Sequence, residues 1–313
     1  MKEVNHLKIW MAQVRSNFLL LAVFLVIIGL AFSLKYPAQS GSSFNLLHAF
    51  ILVIGVVLSH ISVNLFNEYS DFKTKIDFYT NRTPFSGGTG MITSGKTKPE
   101  NVRLVGIITL VFASAIGLYF SVISHWTIFI ISIIGGFSVL FYTNFLAKKM
   151  LGELFAGLSL GTLVVLGTYI SMTASPDTHL KQLLPAEVIW ISIPPGILTS
   201  LLLFINQFPD IEADKKGGRK HLVIRYGIKR ASYIYTFGMF ITFGIIVLMP
   251  IIGISSYWIY IALLPIPLAV KACLIAIRHG SNFSRMIPAL VSNVMTVLAT
   301  DLLLAIAVFI DVL

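Results

Sequence analysis

The sequence predicts an all-α, polytopic membrane protein. Nine transmembrane helices surround a central cavity, with the N-terminus cytoplasmic and the C-terminus outside. Three observations predict it. The 313 residues are 56% hydrophobic and 12% charged, about half the charged fraction of a soluble domain. Apolar runs long enough to span a bilayer recur along the chain. Lysine and arginine collect in alternate connections between those runs. Such a composition argues against a soluble enzyme, a disordered tail or a secreted domain, whose surfaces need more polar residues. The lone cysteine, Cys273, leaves no partner for an intrachain disulfide and no Cys-rich metal site.

The runs lie at about 17–34, 45–66, 103–122, 125–146, 152–173, 187–206, 231–252, 255–277 and 287–310. The first follows a basic segment and resembles a signal peptide. No small-x-small cleavage site ends it, so it reads as a retained helix. Lys2, Lys8 and Arg15 precede it. Lys73, Lys75, Arg82, Lys96, Lys98 and Arg103 lie between the second and third runs. Lys148 and Lys149 separate the fourth from the fifth, and the cluster from Lys215 to Arg230 separates the sixth from the seventh. Lys271, Arg278 and Arg285 lie around the connection between the eighth and ninth. With the N-terminus in the cytoplasm, all but Lys35 and Lys181 of the 23 basic residues are cytoplasmic. The net charge of +10 is thus a topogenic signal in a multi-pass protein of the cell membrane. It is not a mark of nucleic-acid binding, although some of it suits anionic lipid headgroups or a phosphorylated ligand. The whole chain, 1–313, reads as a single transmembrane domain.

Two cytoplasmic loops, about 67–102 and 207–230, are much longer than the other connections, and chemistry is expected there. The first opens Asn64-Leu65-Phe66-Asn67-Glu68-Tyr69-Ser70-Asp71-Phe72-Lys73-Thr74-Lys75-Ile76-Asp77. The second opens Asn206-Gln207-Phe208-Pro209-Asp210-Ile211-Glu212-Ala213-Asp214. Both contain Asn-x-aromatic-x-Asp at the cytoplasmic end of an even-numbered span, which reads as a weak internal repeat. Asn206, Asp210 and Asp214 are spaced four apart and share one helix face. Asn67 and Asp71 do the same, with Asn64 a turn earlier, and Asp77 folds back past the turn. One aspartate near a membrane surface is an ordinary solvated charge; a doubled pattern at matched depth is not. Four carboxylates in one place repel unless a cation neutralises them. An all-oxygen set of this kind suits Mg²⁺ completed by substrate phosphates. Lys73, Lys75, Lys148, Arg219, Lys220 and Arg225 are placed to take the remaining phosphate charge, and Arg82 is a further substrate-binding candidate. A cation-bridged diphosphate beside a membrane points to a lipid diphosphate, whose departure from an allylic carbon leaves a carbocation. The 23 Phe and 11 Tyr suffice to line a dry pocket for it.

These motifs resemble the UbiA superfamily of intramembrane prenyltransferases, over nearly the whole chain. Acidic residues at +1, +4 and +10 from Asn67 (Glu68, Asp71 and Asp77) are similar to the menaquinone-type branch, the 1,4-dihydroxy-2-naphthoate prenyltransferases. So are Tyr142-Thr143, Leu151-Gly152-Glu153 and Gly167-Thr168-Tyr169, and the stretch after Asp214 through Gly218-Arg219-Lys220 to Arg225-Tyr226-Gly227. Three features depart from the family pattern: Arg15-Ser16 in place of Arg-Pro, Pro209 before Asp210, and Arg82-Thr83-Pro84-Phe85-Ser86-Gly87-Gly88 in the first loop. The resemblance implies transfer of a polyprenyl group from its diphosphate to an aromatic acceptor. Asp71, Asp210 and Asp214, helped by Asn67, Asn206 and Asp77, would hold Mg²⁺ and diphosphate, Asp71 and Asp210 as catalytic residues, with Lys148 and Arg225 neutralising the leaving group. Asn64, Asn67, Tyr142 and Asn206 would contact substrate. With dihydroxynaphthoate, loss of carbon dioxide and oxidation to a quinone follow ring attack. The other acceptors weighed are 4-hydroxybenzoate, homogentisate, a tetrapyrrole and a glycerol-phosphate lipid. The rival class is a secondary transporter, whose polar groups would sit near midplane on broken helices. The remaining polar and small residues read as structural. Glu153 is a helix-start acid, Asp301 a satisfied interhelical contact and His60 a core hydrogen bonder. Gly157-x-x-x-Gly161 and Gly135-Gly136 mark close helix packing.

Overall fold

The computed structural model describes residues 6–37, 44–83 and 85–313. Lys2 and Pro84, named above, lie outside them. Among the described residues there is no strand. The helices are α1 (His6–Gln13), α2 (Leu19–Lys35), α3 (Leu46–Lys73), α4 (Pro99–Ile123), α5 (Thr127–Phe141), α6 (Gly152–Gly157), α7 (Leu163–Thr173), α8 (Ala186–Lys216), α9 (Leu222–Ile251), α10 (Ile266–His279) and α11 (Phe283–Ile310). Seven helical stretches are long and apolar enough to cross a membrane, or eight with one bent pair counted as a span.

The differences from the expected spans have local causes. The run at 125–146 yields only the 15 residues of α5, because Tyr142-Thr143-Asn144 leaves the helix as a turn. The run at 255–277 is a 3₁₀ segment, Tyr257–Leu263, bent by 41° from α10. Pro265 stands at the bend, where a proline lacks the amide and disfavours helix in the residue before it. A π turn, Leu158–Thr162, joins α6 to α7. There α8 comes close: a Cβ on Gly161 would lie 2.7 Å from Gly196 Cα. Gly157 and Gly161 are therefore close-packing glycines, as expected. α8 carries Pro194, Pro195 and Pro209 without ending, which neighbouring helices in a membrane bundle allow. α9 is kinked at Gly227, where φ is 76°, a conformation open to glycine without strain.

The expected loops are shorter than their motifs. Residues 67–73 are the last turns of α3, and 207–216 those of α8. α3 packs on α4; α2 lies against α7 and α11; α8 runs through the middle against α6, α9 and α11. The core gathers Leu25, Phe32, Val165, Leu198, Phe208, Tyr235 and Leu290. Tyr235 donates to Asn293 Oδ1 at 2.7 Å. At the end away from Asp71, Lys35 pairs with Glu187 at 2.7 Å and with Asp311, while Tyr36 donates to Glu187 at 2.6 Å. These contacts tie together the ends of α2, α8 and α11. Asp301, expected to be a satisfied contact, is fully buried and has no hydrogen-bond partner on either carboxylate oxygen.

Candidate active site

The C-terminal turns of α3 and α8 face each other across a cleft. Each turn is finished by a reversal. Lys75 takes a left-handed conformation, φ 63°, and a 3₁₀ turn at Ile76–Phe78 brings Asp77 back to the cleft. Gly217, Gly218 and Arg219 donate backbone bonds to Ala213, Lys215 and Asp214, with Gly218 at φ 75°. That turn folds Arg219 back over its own helix. Ile76 packs where Gly217 has no side chain, so the two reversals interlock.

Arg219 is the hub. Its guanidinium bonds Asp71, Asp214 at 2.8 Å and Asn67 Oδ1 at 3.1 Å. Burial alone would lower its pKa; the Asp71 and Asp214 carboxylates override that and raise it above the ordinary arginine value. Asp214 is also paired with His221 at 3.1 Å. His221 Nδ1 accepts from Ile224 N–H at 3.4 Å, capping α9, so Nε2 carries the proton and donates to Asp214. Asn67 Oδ1 accepts from Thr143 as well, at 3.0 Å. On the other wall, Asp210 accepts from the Gly87 amide at 3.2 Å. Gly88 abuts Asp77: a Cβ there would lie 2.6 Å from Oδ1. Burial, then the charges of Glu68 and Asp71, push the Asp77 carboxyl up to about 8.

The four aspartates line one cleft but are not a single cluster. Arg219 stands between Asp71 and Asp214, and the Gly87–Gly88 strap lies against Asp77 and Asp210. Among the described residues no three His, Cys, Asp or Glu side chains are grouped to hold a metal unaided. Oxygen donors are nevertheless left over: Asp77 Oδ2, Asp210 Oδ1, Asn206 Oδ1 and Glu153 Oε2 are buried without hydrogen-bond partners. An all-oxygen, acidic set of that kind fits a hard divalent cation whose remaining ligands come from elsewhere.

Of the cations expected to meet phosphate, Arg219 alone lines the cleft. Lys73, Lys75, Lys148, Lys220 and Arg225 are exposed and outside it. Lys73 lies over the Tyr69 ring at 5.7 Å, and Lys220 reaches the region only through its backbone amide, bonded to Ala147 O. Arg82 is exposed and donates to Asp77 O at 3.0 Å and Thr93 at 2.7 Å. Asn64 donates to Val14 O at 3.1 Å. Three residues not singled out as site residues matter here. Glu68 is fully buried. Both of its carboxylate oxygens accept from the Thr89 amide, the nearer at 3.0 Å, and Arg15 pairs with it at 3.5 Å. It thereby fastens the strap to α3. Glu153 accepts from the first amide of α9, Leu222, at 3.2 Å, and also lines the cleft.

Beneath the cleft lies a mixed chamber, which shares Asn67, Tyr142 and Asn206 with it. Phe18 and Phe85 border this chamber edge to face, 6.4 Å apart. It shares His60 and Leu160 with an apolar chamber between α3, α4, α5 and α7. His60, expected to be a satisfied core residue, lines both chambers and leaves Nε2 without a partner. A basic vestibule bordered by Lys8, Arg15 and Arg82 opens on the strap side and shares Arg15, Phe18 and Phe85 with the mixed chamber.

Fold and site together define a helical membrane protein with a charged cleft at one end and, beyond a mixed chamber, an apolar chamber within the bundle. The chain belongs to the UbiA prenyltransferase family, whose model matches residues 22–294. It is 32% identical to the 1,4-dihydroxy-2-naphthoate octaprenyltransferase of Bacillus subtilis over 68% of this chain and 65% of that one, just under two thirds of the relative's length. It is 25% identical to the Escherichia coli enzyme of the same name over 99% and 98%. Among solved structures it is similar in fold to a UbiA homologue from Aeropyrum pernix in its apo state (TM-score 0.70, 14% identity, 95% and 98% covered). It is likewise similar to one from Archaeoglobus fulgidus bound to DMAPP and Mg²⁺ (TM-score 0.58, 14% identity, 96% and 98% covered).

Proposed function

We propose that the protein transfers a polyprenyl group from an allylic polyprenyl diphosphate to 1,4-dihydroxy-2-naphthoate, in menaquinone biosynthesis. The observation that carries this reading is the adjacency of the charged cleft and the apolar chamber, with a mixed chamber between them that shares lining residues with each. A ligand filling both has a polyanionic head and a long apolar tail. The naphthoate relatives support the acceptor, and the basic vestibule fits an aryl carboxylate approaching beside Arg15 and Arg82.

In this reading Asp71, Asp77, Asp210, Asp214, Asn67 and Asn206 hold Mg²⁺ and diphosphate. When bound, the cation neutralises the diphosphate and stabilises it as a leaving group. Arg219 exchanges part of its carboxylate bonding for phosphate oxygens, as a planar five-donor group can. Tyr142, Phe18 and Phe85 wall the reacting carbon from water and offer ring faces to developing positive charge. The ring carbon of the acceptor then meets the allylic carbon in the mixed chamber.

The same reading fixes the membrane arrangement. α5 and the bent 257–279 pair each cross once, giving nine crossings of the cell membrane. α5 spans about 22 Å at 1.5 Å per residue. It is shorter than a typical hydrocarbon core, a deficit met by local thinning, and the exposed Trp126 anchors one end. The N-terminus is cytoplasmic and the C-terminus outside. The test is acceptor discrimination. Purified protein with geranyl diphosphate and Mg²⁺ is expected to give prenylated product with dihydroxynaphthoate and none with 4-hydroxybenzoate. Product from the benzoate alone would overturn the acceptor.

A further inference from the structure

The six residues expected to hold a cation all line the cleft, yet they divide into two groups. Asn67, Asp71 and Asp214 are each bonded to the Arg219 guanidinium. Asp77, Asp210 and Asn206 each keep a buried oxygen with no hydrogen-bond partner. The glycine strap touches both aspartates of this second group, Asp210 through the Gly87 amide and Asp77 through Gly88. One half of the cleft therefore already carries a cation, tethered to the chain. The other half has unused oxygen donors. The tether itself can let go. The Arg219 backbone is fixed by the bond from its amide to Asp214 O, and its Nε is buried without a partner, so only the side chain has to turn. A lone divalent ion gives Arg219 nothing to turn to: like charges repel, and a displaced guanidinium would be stranded in a buried place. A diphosphate does, because the same planar fork bonds phosphate as well as carboxylate.

We propose that Arg219 makes the two halves of the cleft unequal. It serves as the resident cation of Asn67, Asp71 and Asp214, so the substrate-free protein takes a divalent ion only at the Asp77, Asp210 and Asn206 half. The Asp71 half accepts one only when a diphosphate draws Arg219 away. The inference rests on the prenyl-transfer reading for the identity of that diphosphate, and goes beyond it by setting an order of binding. By linkage, the ion at the Asp71 half and the diphosphate raise each other's affinity by the same factor, expected to be at least about tenfold.

The experiment counts Mn²⁺ bound to the full chain in detergent by equilibrium dialysis at matched free Mn²⁺. It is run with no anion, with inorganic pyrophosphate and with geranyl S-thiolodiphosphate. Wild type is expected to bind one ion alone and two with either anion. The ion bound alone should be lost in Asp210→Asn and kept in Asp71→Asn, and Asp71→Asn should gain no second ion from the anions. Arg219→Gln should take two ions with no anion present. If that variant does not fold, the two aspartate variants still decide. Two ions or none in substrate-free wild type, equal loss of the first ion in both aspartate variants, or no second ion with either anion would overturn the proposal. A second ion with pyrophosphate, but geranyl thiolodiphosphate binding no more tightly than pyrophosphate, would support the role of Arg219 and overturn the prenyl-transfer reading instead.

Discussion

Arg219 bonds two buried carboxylates and an asparagine at once, and the electrostatics of the cleft depend on it. Removing one member of a buried ion pair costs about 3–5 kcal/mol, because the remaining charge is stranded. Arg219→Ala strands Asp71 and Asp214 together, so thermal unfolding in detergent is expected at a clearly lower midpoint. Arg219→Lys should recover only part of the loss, since one ammonium lacks the fork that spans both partners. An unchanged midpoint for Arg219→Ala would contradict the bridge. Asp210 behaves differently: it touches only the Gly87 amide and keeps one oxygen unpartnered. Asp210→Asn should therefore keep the midpoint and lose at least about a hundredfold in metal-dependent diphosphate affinity, near 2.7 kcal/mol, as read by titration calorimetry. The aspartates and asparagines of this site were legible in the sequence because helical spacing of four is local information. Glu68 was not legible as a fastener. It lies one residue from Asn67, and adjacent helical residues do not share a face, so its partners Thr89 and Arg15 come from distant chain. Lys148 and Arg225 show the reverse: they are near the motifs in sequence, yet their side chains lie outside the cleft.

At the scale of elements, the strap from Phe85 to Met91 is held at two points, Glu68 to Thr89 and Asp210 to Gly87. Hydrogen bonds to a charged group contribute about 1.5–3 kcal/mol, and each 1.4 kcal/mol is about tenfold in an equilibrium. Glu68→Gln should accordingly speed hydrogen exchange in peptides covering 85–91 by about tenfold or more, with little change in α8 peptides. Exchange as slow as in wild type would show that the strap is held some other way. Binding of Mg²⁺ with a substrate analogue should in turn protect the 82–96 stretch from proteolysis. Run lengths and charge order made the helices themselves legible. The short α5 and the bend before α10 were hidden, because hydropathy averages over Tyr142-Thr143-Asn144 and over Pro265, where backbone geometry decides.

For the whole molecule, the proposed nine crossings would place the two ends of the chain on opposite sides of the membrane. Cys273 is the lone cysteine and is buried, so single cysteines introduced into a Cys273→Ala background report topology cleanly. Labelling by an impermeant thiol reagent is expected from the cytoplasmic side at Ser94 and from the outer side at Asp177. Labelling of both from one side would contradict the orientation. Charge asymmetry along the chain is the ground on which this arrangement is proposed. The stacking of cleft, mixed chamber and apolar chamber needed the fold, since it brings together residues of α3, α5, α6 and α8. The most direct test of the central claim is transfer itself: radiolabelled geranyl diphosphate, dihydroxynaphthoate and the purified protein, with and without Mg²⁺, beside Asp71→Asn and Asp210→Asn. The account predicts labelled, prenylated naphthoate product that EDTA abolishes and that either variant lowers by at least about a hundredfold. Product formation indifferent to metal and to both aspartates, or no metal-dependent binding of the diphosphate at all, would contradict it.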